Sequence, residues 1–295
     1  MRESKDMEET IQKASILVEA LPYIQSFRDK IVVIKCGGDS AIEETFLDIV
    51  FMETVGMKPV IVHGGGKAIS QNMQRAGIQP RFVSGLRFTD EQTMKIVEQT
   101  LVEEINQKIV ENIRRFGGKT QGLSAKQIMR VKKHLVKTKD QSSSNEKLVD
   151  IGLVGKVEDI DPKPVQALCD RDVIPVIAPV GTDERGQSYN VNADTVAGEL
   201  AIALQAEKLI FLTDVLGIMK TPGDSSSLFS TLQVDSIEKL IEEGVISGGM
   251  IPKARAALKA VRAGVHKTHI ISGKITHSLL LEIFTDKGIG TQIVE

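Results

Sequence analysis

The strongest constraint on the fold is a regular alternation of β-branched runs with stretches of helical spacing. Residues 30–35 and 59–62 are short apolar runs of the strand type, and residues 41–56 between them have helical spacing and end in a glycine. A strand, a helix and a second strand in this order predict a βαβ unit, in which the two strands are parallel.

The same alternation continues along the rest of the chain. Further strands are predicted at 173–180, 208–213 and 268–272. Helices are predicted between and after them, at 91–116, 195–206, 236–243 and 253–263. We therefore predict an α/β fold, a three-layer αβα sandwich with a mainly parallel central sheet.

Composition narrows the class of partner. The 295 residues are 41% hydrophobic and 26% charged, which is typical of a globular protein with a large core. The net charge of −2 arises from 37 basic and 39 acidic side chains, so no global field favours nucleic acid or an anionic membrane. We expect a small-molecule partner, with no nucleic acid and no membrane.

The cysteines and the N-terminal sequence bear on the cellular setting. Cys36 and Cys169 are far apart and show no CxxC spacing, which argues against a disulfide framework or a thiolate zinc site. The first ten residues lack the apolar run of a signal peptide, and no stretch approaches the roughly 20 apolar residues of a membrane span. We expect a cytoplasmic protein.

The first helix has two alternative interpretations. Apolar residues recur at spacings of three and four within residues 7–27, which predicts an amphipathic helix ending near Pro22. Its stripe either packs against its own domain or is buried on another subunit. The sequence leaves both alternatives open.

Turn composition suggests where the chain divides. Residues 140–147 are small and polar, which predicts an exposed loop or hairpin tip. A soft boundary is expected between 180 and 190, after a strand and a Gly-Thr-Asp-Glu-Arg-Gly turn. We predict a helical arm at 1–28, an N-terminal lobe at 29–185 and a C-terminal lobe at 186–295.

Two glycine clusters follow the first two strands. Lys35-Cys36-Gly37-Gly38 places a lysine and two glycines at the carboxyl end of a strand, where α/β sheets bind ligands. Glycine N–H groups, a helix N-terminus and a lysine favour phosphate, although the alternative is an ordinary tight turn. His63-Gly64-Gly65-Gly66-Lys67 repeats the arrangement, and we expect His63 to be a hydrogen-bonded structural residue.

Three further segments carry polar side chains that suit ligands. Arg87 lies in a loop before a helix, and its guanidinium suits a carboxylate, although a solvated arginine is the alternative. Asn190, Asn192 and Asp194 precede a predicted helix whose N-cap would be Asn192 or Asp194. A cap needs only one such residue, so the surplus suggests that Asn190 contacts a ligand and that Asp194 orients positive charges. Lys253 lies in a predicted first helical turn, where a cation is unfavourable unless an anion is bound nearby.

Taken together, these motifs resemble the amino acid kinase family, in particular its arginine-pathway branch. The resemblance covers about residues 30–293. Its most specific parts are residues 83–87, 190–194, 248–253 and the tail 277–291. It implies transfer of the γ-phosphoryl group of ATP, with Mg²⁺ carried by the ATP, to the side-chain carboxylate of N-acetyl-glutamate.

The resemblance also implies roles for individual residues. Lys35 and Lys253 would stabilise the transferring phosphoryl group, with Asp194 holding both lysines. Backbone N–H groups for phosphate would come from Gly37 and Gly38, and the residues binding acetylglutamate would be Gly65, Gly66, Arg87 and Asn190. The nucleotide would lie on the C-terminal lobe, beside Asp214, Val215, Leu216, Gly217, Ile218 and Met219. The N-terminal lobe would bind acetylglutamate and form the dimer contact.

A subset of the family is inhibited by arginine, and the first helix and the tail resemble that subset. The resemblance implies a homo-oligomer, either a dimer or a hexamer joined through the N-terminal helix. Candidate arginine contacts are Tyr23, Lys220 and Glu282. The alternative is that Tyr23 is a packing residue at a helix end and Glu282 a solvated residue.

Some positions depart from the family pattern, and other functions remain open. Asp39 adds a carboxylate beside the double glycine, Lys67 stands where proline is frequent, and Leu216 stands where proline or a small residue is frequent. Related kinases act on aspartate, glutamate, carbamate or UMP, but the context of Arg87 argues against these acceptors. A non-catalytic arginine sensor is the alternative from another class.

Overall fold

The computed structural model describes residues 2–37, 42–139, 146–285 and 288–295. Gly38, Asp39 and the tip at 140–145 lie outside the described residues. The strands, in chain order, are β1 (Ile31–Cys36), β2 (Lys58–His63), β3 (Phe82–Val83), β4 (Leu86–Arg87), β5 (Thr120–Ser124), β6 (Met129–Lys139), β7 (Glu146–Ile160), β8 (Ile174–Ala178), β9 (Val180–Thr182), β10 (Ser188–Asn190), β11 (Lys208–Thr213), β12 (Thr231–Gln233), β13 (Lys267–Ser272) and β14 (Thr291–Val294).

Helices connect most of these strands. In chain order they are α1 (Arg2–Phe27), α2 (Glu43–Thr54), α3 (Gly66–Arg75), α4 (Glu91–Glu98), α5 (Asn106–Arg115), α6 (Lys163–Cys169), α7 (Ala193–Ala203), α8 (Val234–Glu242), α9 (Met250–Arg262) and α10 (Ser278–Ile283). A π-helical segment, Gln99–Ile105, joins α4 to α5, so the single helix predicted at 91–116 changes its winding in the middle.

The central sheet has eight strands in the order β12-β14-β13-β11-β1-β2-β8-β5. Every neighbouring pair is parallel except β13 with β14. Successive residues of β1 face opposite sides, so that Val32 packs into one apolar core and Val33 into the other. Helices cover both faces, which confirms the predicted αβα sandwich.

A smaller sheet of β10, β7, β6 and β9 closes on itself beside the central sheet. Pro179 separates β8 from β9, where the chain leaves the large sheet for the small one. The prediction of a single strand at 173–180 was therefore wrong. Pro179 has no N–H for a ladder hydrogen bond, and the strand is interrupted there. β6 and β7 pair as a long antiparallel hairpin. Of the loop predicted at 140–147, Glu146 and Lys147 belong to β7.

The first helix does not end near Pro22, as predicted, but continues to Phe27. A proline removes one intrahelical hydrogen bond, a cost that the contacts of the following turn offset here. Tyr23 packs edge-on against Phe284, with ring centroids 6.3 Å apart, and the Lys208 ammonium lies 5.0 Å from the Phe27 ring centroid. The predicted stripe upstream stays exposed, since Leu17 is 69% accessible. It therefore does not pack against its own domain.

The central sheet runs through both predicted lobes, because β1 pairs with β2 on one side and with β11 on the other. The predicted boundary at 185 falls in the turn between β9 and β10. The division into an arm and two lobes stays a prediction.

Candidate active site

A carboxylate held between two lysines lies at the carboxyl edge of the central sheet. Lys35 stands near the end of β1, Asp194 in the first turn of α7 and Lys253 in the first turn of α9. Lys35 Nζ lies 2.9 Å from Asp194 Oδ1, and Lys253 Nζ donates to Asp194 Oδ2 at 2.9 Å. The Lys35 contact has the distance of an ion pair but not the geometry of a hydrogen bond, because Oδ1 has no hydrogen-bond donor among the described residues.

Local sequence fixes the position of Asp194. Asn192 is the N-cap of α7, and its side chain accepts a hydrogen bond from the Thr195 N–H at 3.0 Å. Burial opposes ionisation of Asp194, but the charges of Lys35 and Lys253 and the hydrogen bond from Lys253 prevail, so the pKa of Asp194 is lowered. One anion between two cations leaves a local positive charge, which suits an anionic ligand.

Two cavities meet at Lys35. The inner cavity, with a volume of about 210 Å³, lies between the β3–β4 hairpin, the glycine turn after β2 and the start of α7. Its polar lining includes Lys35, Arg87, Asn190, Asn192 and Asp194. The outer cavity, about 520 Å³, extends past Lys35 to the end of β11 and the start of α9. Both cavities share Gly64, Gly65 and Gly66, so a group bound near Lys35 is accessible from either side.

Arg87 is buried in the wall of the inner cavity. Its Nη2 donates to Gly66 O at 2.8 Å and to Ser70 Oγ at 2.9 Å, and its Nη1 lies 3.2 Å from Met73 Sδ. Desolvation lowers its pKa, and within the described part of the chain no carboxylate forms an ion pair with it. The surface arginine considered from the sequence is therefore excluded, and the buried cation lacks an anion.

Asn190 ends β10 on the opposite wall. Its Nδ2 donates to the Thr89 hydroxyl at 3.3 Å, and its backbone pairs with Val154 in β7 and Val180 in β9. The residue lines the inner cavity together with Arg87. The structure thus brings together the two side chains predicted to bind the acceptor, although they are 103 positions apart.

The glycine turn after β2 lets the backbone approach its neighbours closely. A Cβ on Gly65 would overlap the side chains of Leu101 and Ile105, whereas a Cβ on Gly66 would meet no atom within 4 Å. A side chain at position 65 would therefore displace Leu101 and Ile105, whereas Gly66 opens onto the cavity at the start of α3. The backbone N–H groups in the first turn of α3 are available to a ligand.

His63 is a buried residue with both ring nitrogens in hydrogen bonds. It is fully buried, its Nδ1 donates to Gly64 O at 3.1 Å, and its Nε2 accepts from Asn106 Nδ2 at 3.2 Å. Burial lowers the pKa of His63 to about 4, with a further lowering from the Lys35 charge against the effect of the Gly64 bond. The neutral ring has the hydrogen-bonded structural role predicted from the sequence.

The predicted nucleotide residues divide into two groups. Gly37, Asp214 and Val215 line the outer cavity, and Lys67 lies 3.9 Å from Asp214 across it. The residues from Leu216 to Met219 do not line it: the Gly217 backbone lies against Thr291, and Ile218 is buried in the core.

A third cavity of about 430 Å³, the distal cavity, lies between the end of α1 and the C-terminal tail. Tyr23 and Glu282 both line it, but Lys220 does not. Glu282 is 5% exposed; its Oε1 lies 2.6 Å from His269 Nδ1 and 3.8 Å from Lys208 Nζ. The alternative of a solvated Glu282 was wrong, because α10 turns this face onto β11 and β13.

Sequence reasoning missed Lys208, His269 and Thr89. Lys208 and His269 gave a faint signal, since each places an ionisable group in a strand that is otherwise apolar. Thr89 gave none apart from its place beside Asp90, the N-cap of α4.

The site and the fold define a class of protein, and comparison with known proteins agrees. Residues 30–272 match the amino acid kinase family, and the chain belongs to it. Within that family it is 50% identical to the acetylglutamate kinase of Heliobacterium modesticaldum over 98% of this chain and 100% of the relative. It is also 50% identical to the acetylglutamate kinase of Methanocaldococcus jannaschii over 98% of each chain.

Solved structures show the same fold. The N-acetylglutamate synthase of Neisseria gonorrhoeae, complexed with coenzyme A and N-acetyl-glutamate, superposes with a TM-score of 0.82 at 24% identity, covering 96% of this chain and 63% of that one.

No helix of the described ranges has the length and apolar character that a membrane crossing requires.

Proposed function

We propose that this protein transfers the γ-phosphoryl group of ATP to the side-chain carboxylate of N-acetyl-L-glutamate, giving N-acetyl-glutamyl 5-phosphate in arginine biosynthesis. The observation that carries the proposal is the buried guanidinium of Arg87, in a cavity that shares Lys35 with a second cavity. A buried cation without a protein anion is costly, and the carboxylate of a bound acceptor would relieve that cost.

The two cavities divide the substrates. The acceptor would occupy the inner cavity, with a carboxylate on Arg87 and a polar group on Asn190, and its reacting carboxylate would approach Lys35. ATP would occupy the outer cavity with its phosphates toward Lys35, Lys253 and the glycine turn. The terminal phosphoryl group would then lie where the cavities meet, between donor and acceptor.

The chemistry needs alignment and positive charge rather than a base. A side-chain carboxylate with a reference pKa of about 4.3 is already ionised at pH 7. One of its oxygens forms a bond to the γ-phosphorus as the bond to the bridging oxygen breaks, and ADP leaves with that electron pair. Lys35, Lys253 and backbone N–H groups stabilise the charge on the transferring group. Mg²⁺ carried by the ATP phosphates would add to this neutralisation.

A coupled assay of ADP release tests the proposal. With ATP, Mg²⁺ and acetylglutamate we expect turnover, and parallel assays with aspartate, glutamate, carbamate and UMP should give at least 100-fold lower kcat/KM, because a site built around buried polar groups rejects ligands that leave them unpaired. Turnover with one of those acceptors instead would move the protein to another branch of the family. An absence of turnover with every acceptor, together with arginine binding, would favour the non-catalytic sensor.

We also propose that arginine inhibits the enzyme by binding the distal cavity. Glu282 offers a carboxylate to a guanidinium, and Tyr23 from α1 closes the same cavity. Lys220 is not included in this proposal, since it does not line the distal cavity. The distal cavity borders α1, the helix whose apolar side chains are exposed. The same helix would therefore take part in both arginine binding and oligomer formation.

The exposed stripe of α1 supports a homo-oligomer formed through this helix. Ile11 and Leu17 are 58% and 69% accessible, and burying such side chains against a second copy would favour association. Deleting the residues before Asp29 should lower the mass measured by light scattering, and an unchanged mass would contradict this role. We propose the cytoplasm as its location, in line with a biosynthetic role.

A further inference from the structure

Thr89 connects Arg87 and Asn190, two residues that line the inner cavity. Its side chain is fully buried, and its hydroxyl donates to Arg87 O at 2.9 Å while accepting from Asn190 Nδ2 at 3.3 Å. One hydroxyl therefore connects the backbone of the residue that carries the guanidinium to the side-chain amide across the cavity. The three residues come from β4, the segment after it, and β10.

The backbone of Thr89 is held rigidly. Its N–H donates to Ile151 O at 3.0 Å, and its carbonyl accepts from Leu153 N–H at 2.6 Å, so that it forms a bridge to Gly152 of β7. Gly152 has a φ of +83°, and a Cβ there would overlap the Thr89 carbonyl oxygen. A glycine is thus required for β7 to approach Thr89 this closely.

The choice of threonine at a fully buried position is informative. A valine has nearly the same shape and no polar atom to desolvate, so packing alone would not require the hydroxyl. The hydroxyl satisfies Arg87 O and fixes one edge of the Asn190 amide, leaving the rest of that amide for a ligand. A fixed amide loses less freedom when it binds a ligand.

We propose that Thr89 is a positioning residue for the acceptor, one that aligns Asn190 with Arg87 through its hydroxyl. This inference rests on the proposed function, since it concerns the acceptor bound in the inner cavity. Thr89 itself is not among the residues that line the cavity, so it acts through its two partners.

The test compares Thr89→Val and Thr89→Ser with Thr120→Val in the full-length enzyme. Thr120, the first residue of β5, is a matched control because it is also buried and its hydroxyl donates to Ile174 O of β8 at 2.7 Å. It does not line the inner or the outer cavity. Thr89→Val should raise the KM for acetylglutamate about tenfold and leave the KM for ATP within twofold, as expected from losing one or two hydrogen bonds. Thr89→Ser should restore the wild-type KM for acetylglutamate to within threefold.

Both the control and a double variant guard against a merely structural explanation. Thr120→Val should lower the melting temperature by about as much as Thr89→Val does, without changing the KM for acetylglutamate or the KM for ATP. In an Asn190→Ala background, Thr89→Val should add less than threefold to the KM for acetylglutamate. If Thr89→Val does not fold, Thr89→Ala removes the hydroxyl without a steric clash and should give the same shift in KM.

The proposal is overturned if the folded Thr89 variants keep the wild-type KM for acetylglutamate, or if both KM values rise together. Such a result, with a wild-type enzyme that phosphorylates acetylglutamate, leaves the proposed function intact. A wild-type enzyme that releases no ADP with acetylglutamate refutes the function instead, and with it the role of Thr89.

Discussion

The inner and distal cavities are each lined by a buried charged residue proposed to meet a ligand, Arg87 in the first and Glu282 in the second. Among the described residues, only Glu282 of these two has an oppositely charged partner. Arg87 in the inner cavity has hydrogen-bond acceptors but no carboxylate among the described residues. Glu282 in the distal cavity has His269 at 2.6 Å, Lys208 at 3.8 Å and the Ile289 N–H at 2.9 Å. A cavity with an unmatched charge is prepared for an ion, whereas a matched charge is stable with or without a ligand.

This difference fits the two proposed tasks. An acceptor must bind in every turnover, so a cation kept ready for its carboxylate adds affinity without displacing a protein group. An inhibitor binds only at times, and the distal cavity must remain stable in its absence. Four predictions test the comparison, in decreasing order of expected effect.

The largest effect is expected where the cavities meet. Lys35→Met should lower kcat by about 10³-fold with a small change in either KM, because a charge that stabilises the transition state is removed. Lys239→Met is the control, since the Lys239 side chain forms an exposed ion pair with Glu243, outside the lining of the described cavities. Wild-type turnover of the Lys35 variant would show that the lysine plays no part in transfer.

Arg87→Met should lower kcat/KM for acetylglutamate about 10²-fold without changing the KM for ATP, because the acceptor carboxylate loses its partner. The free energy of unfolding, measured in urea without substrate, should be unchanged or higher, since a buried unpaired cation is removed. A loss of more than about 2 kcal/mol would mean that the guanidinium stabilises the fold through its hydrogen bonds rather than awaiting a ligand.

Glu282→Gln should have the opposite signature. It should lower the free energy of unfolding by about 2 kcal/mol, because Lys208 and His269 lose their buried anion, and it should abolish inhibition by arginine while kcat stays within twofold. Gln292→Glu, at another residue that lines the same cavity, is a control expected to retain inhibition. Unchanged stability of the Glu282 variant would remove the contrast between the two cavities.

The smallest effect concerns pH. The pKa of His63 is lowered to about 4 in the folded protein, so the unfolded chain takes up more protons below its reference pKa of about 6.5. The stabilising contribution is thus complete above pH 6.5 and is lost as the pH falls toward 4, by about 2 kcal/mol between pH 7 and pH 5. Urea unfolding at fixed protein concentration measures this slope.

Two variants assign the pH slope. His63→Gln should reduce the loss of stability between pH 7 and pH 5, because glutamine does not titrate there. His134→Gln should change the slope little, since His134 is only partly buried on the β6–β7 hairpin. An equal slope in wild type and His63→Gln would show that another group dominates the pH dependence. His269 is the candidate, because burial also lowers its pKa.

Local pattern predicted the layers of the fold because the strands are buried on both faces. A run such as Val32-Val33-Ile34 has few other stable environments than a parallel sheet. Pattern failed where one residue decides the path of the chain. Pro22 stays within a helix and Pro179 ends a strand, and only the surrounding contacts distinguish the two outcomes.

The site was predicted unevenly for a related reason. Lys35 and Lys253 stand at element ends, where charge beside glycine is visible in the sequence. The burial of Arg87 depends on the β3–β4 hairpin and on α3, so the residues around Arg87 alone cannot distinguish it from a surface arginine. The hydrogen bond from Asn190 to Thr89 joins residues 101 positions apart and leaves no trace in local composition.

The most direct test of the account follows the acyl phosphate itself. Wild type and Arg87→Met are incubated with ATP, Mg²⁺, acetylglutamate and hydroxylamine, which converts an acyl phosphate to a hydroxamate that is quantified alongside ADP. We predict equal amounts of hydroxamate and ADP from the wild type, and about 10²-fold less of both from Arg87→Met at subsaturating acetylglutamate. ADP release without hydroxamate, or equal turnover by the two proteins, would contradict the assignment of the inner cavity to the acceptor.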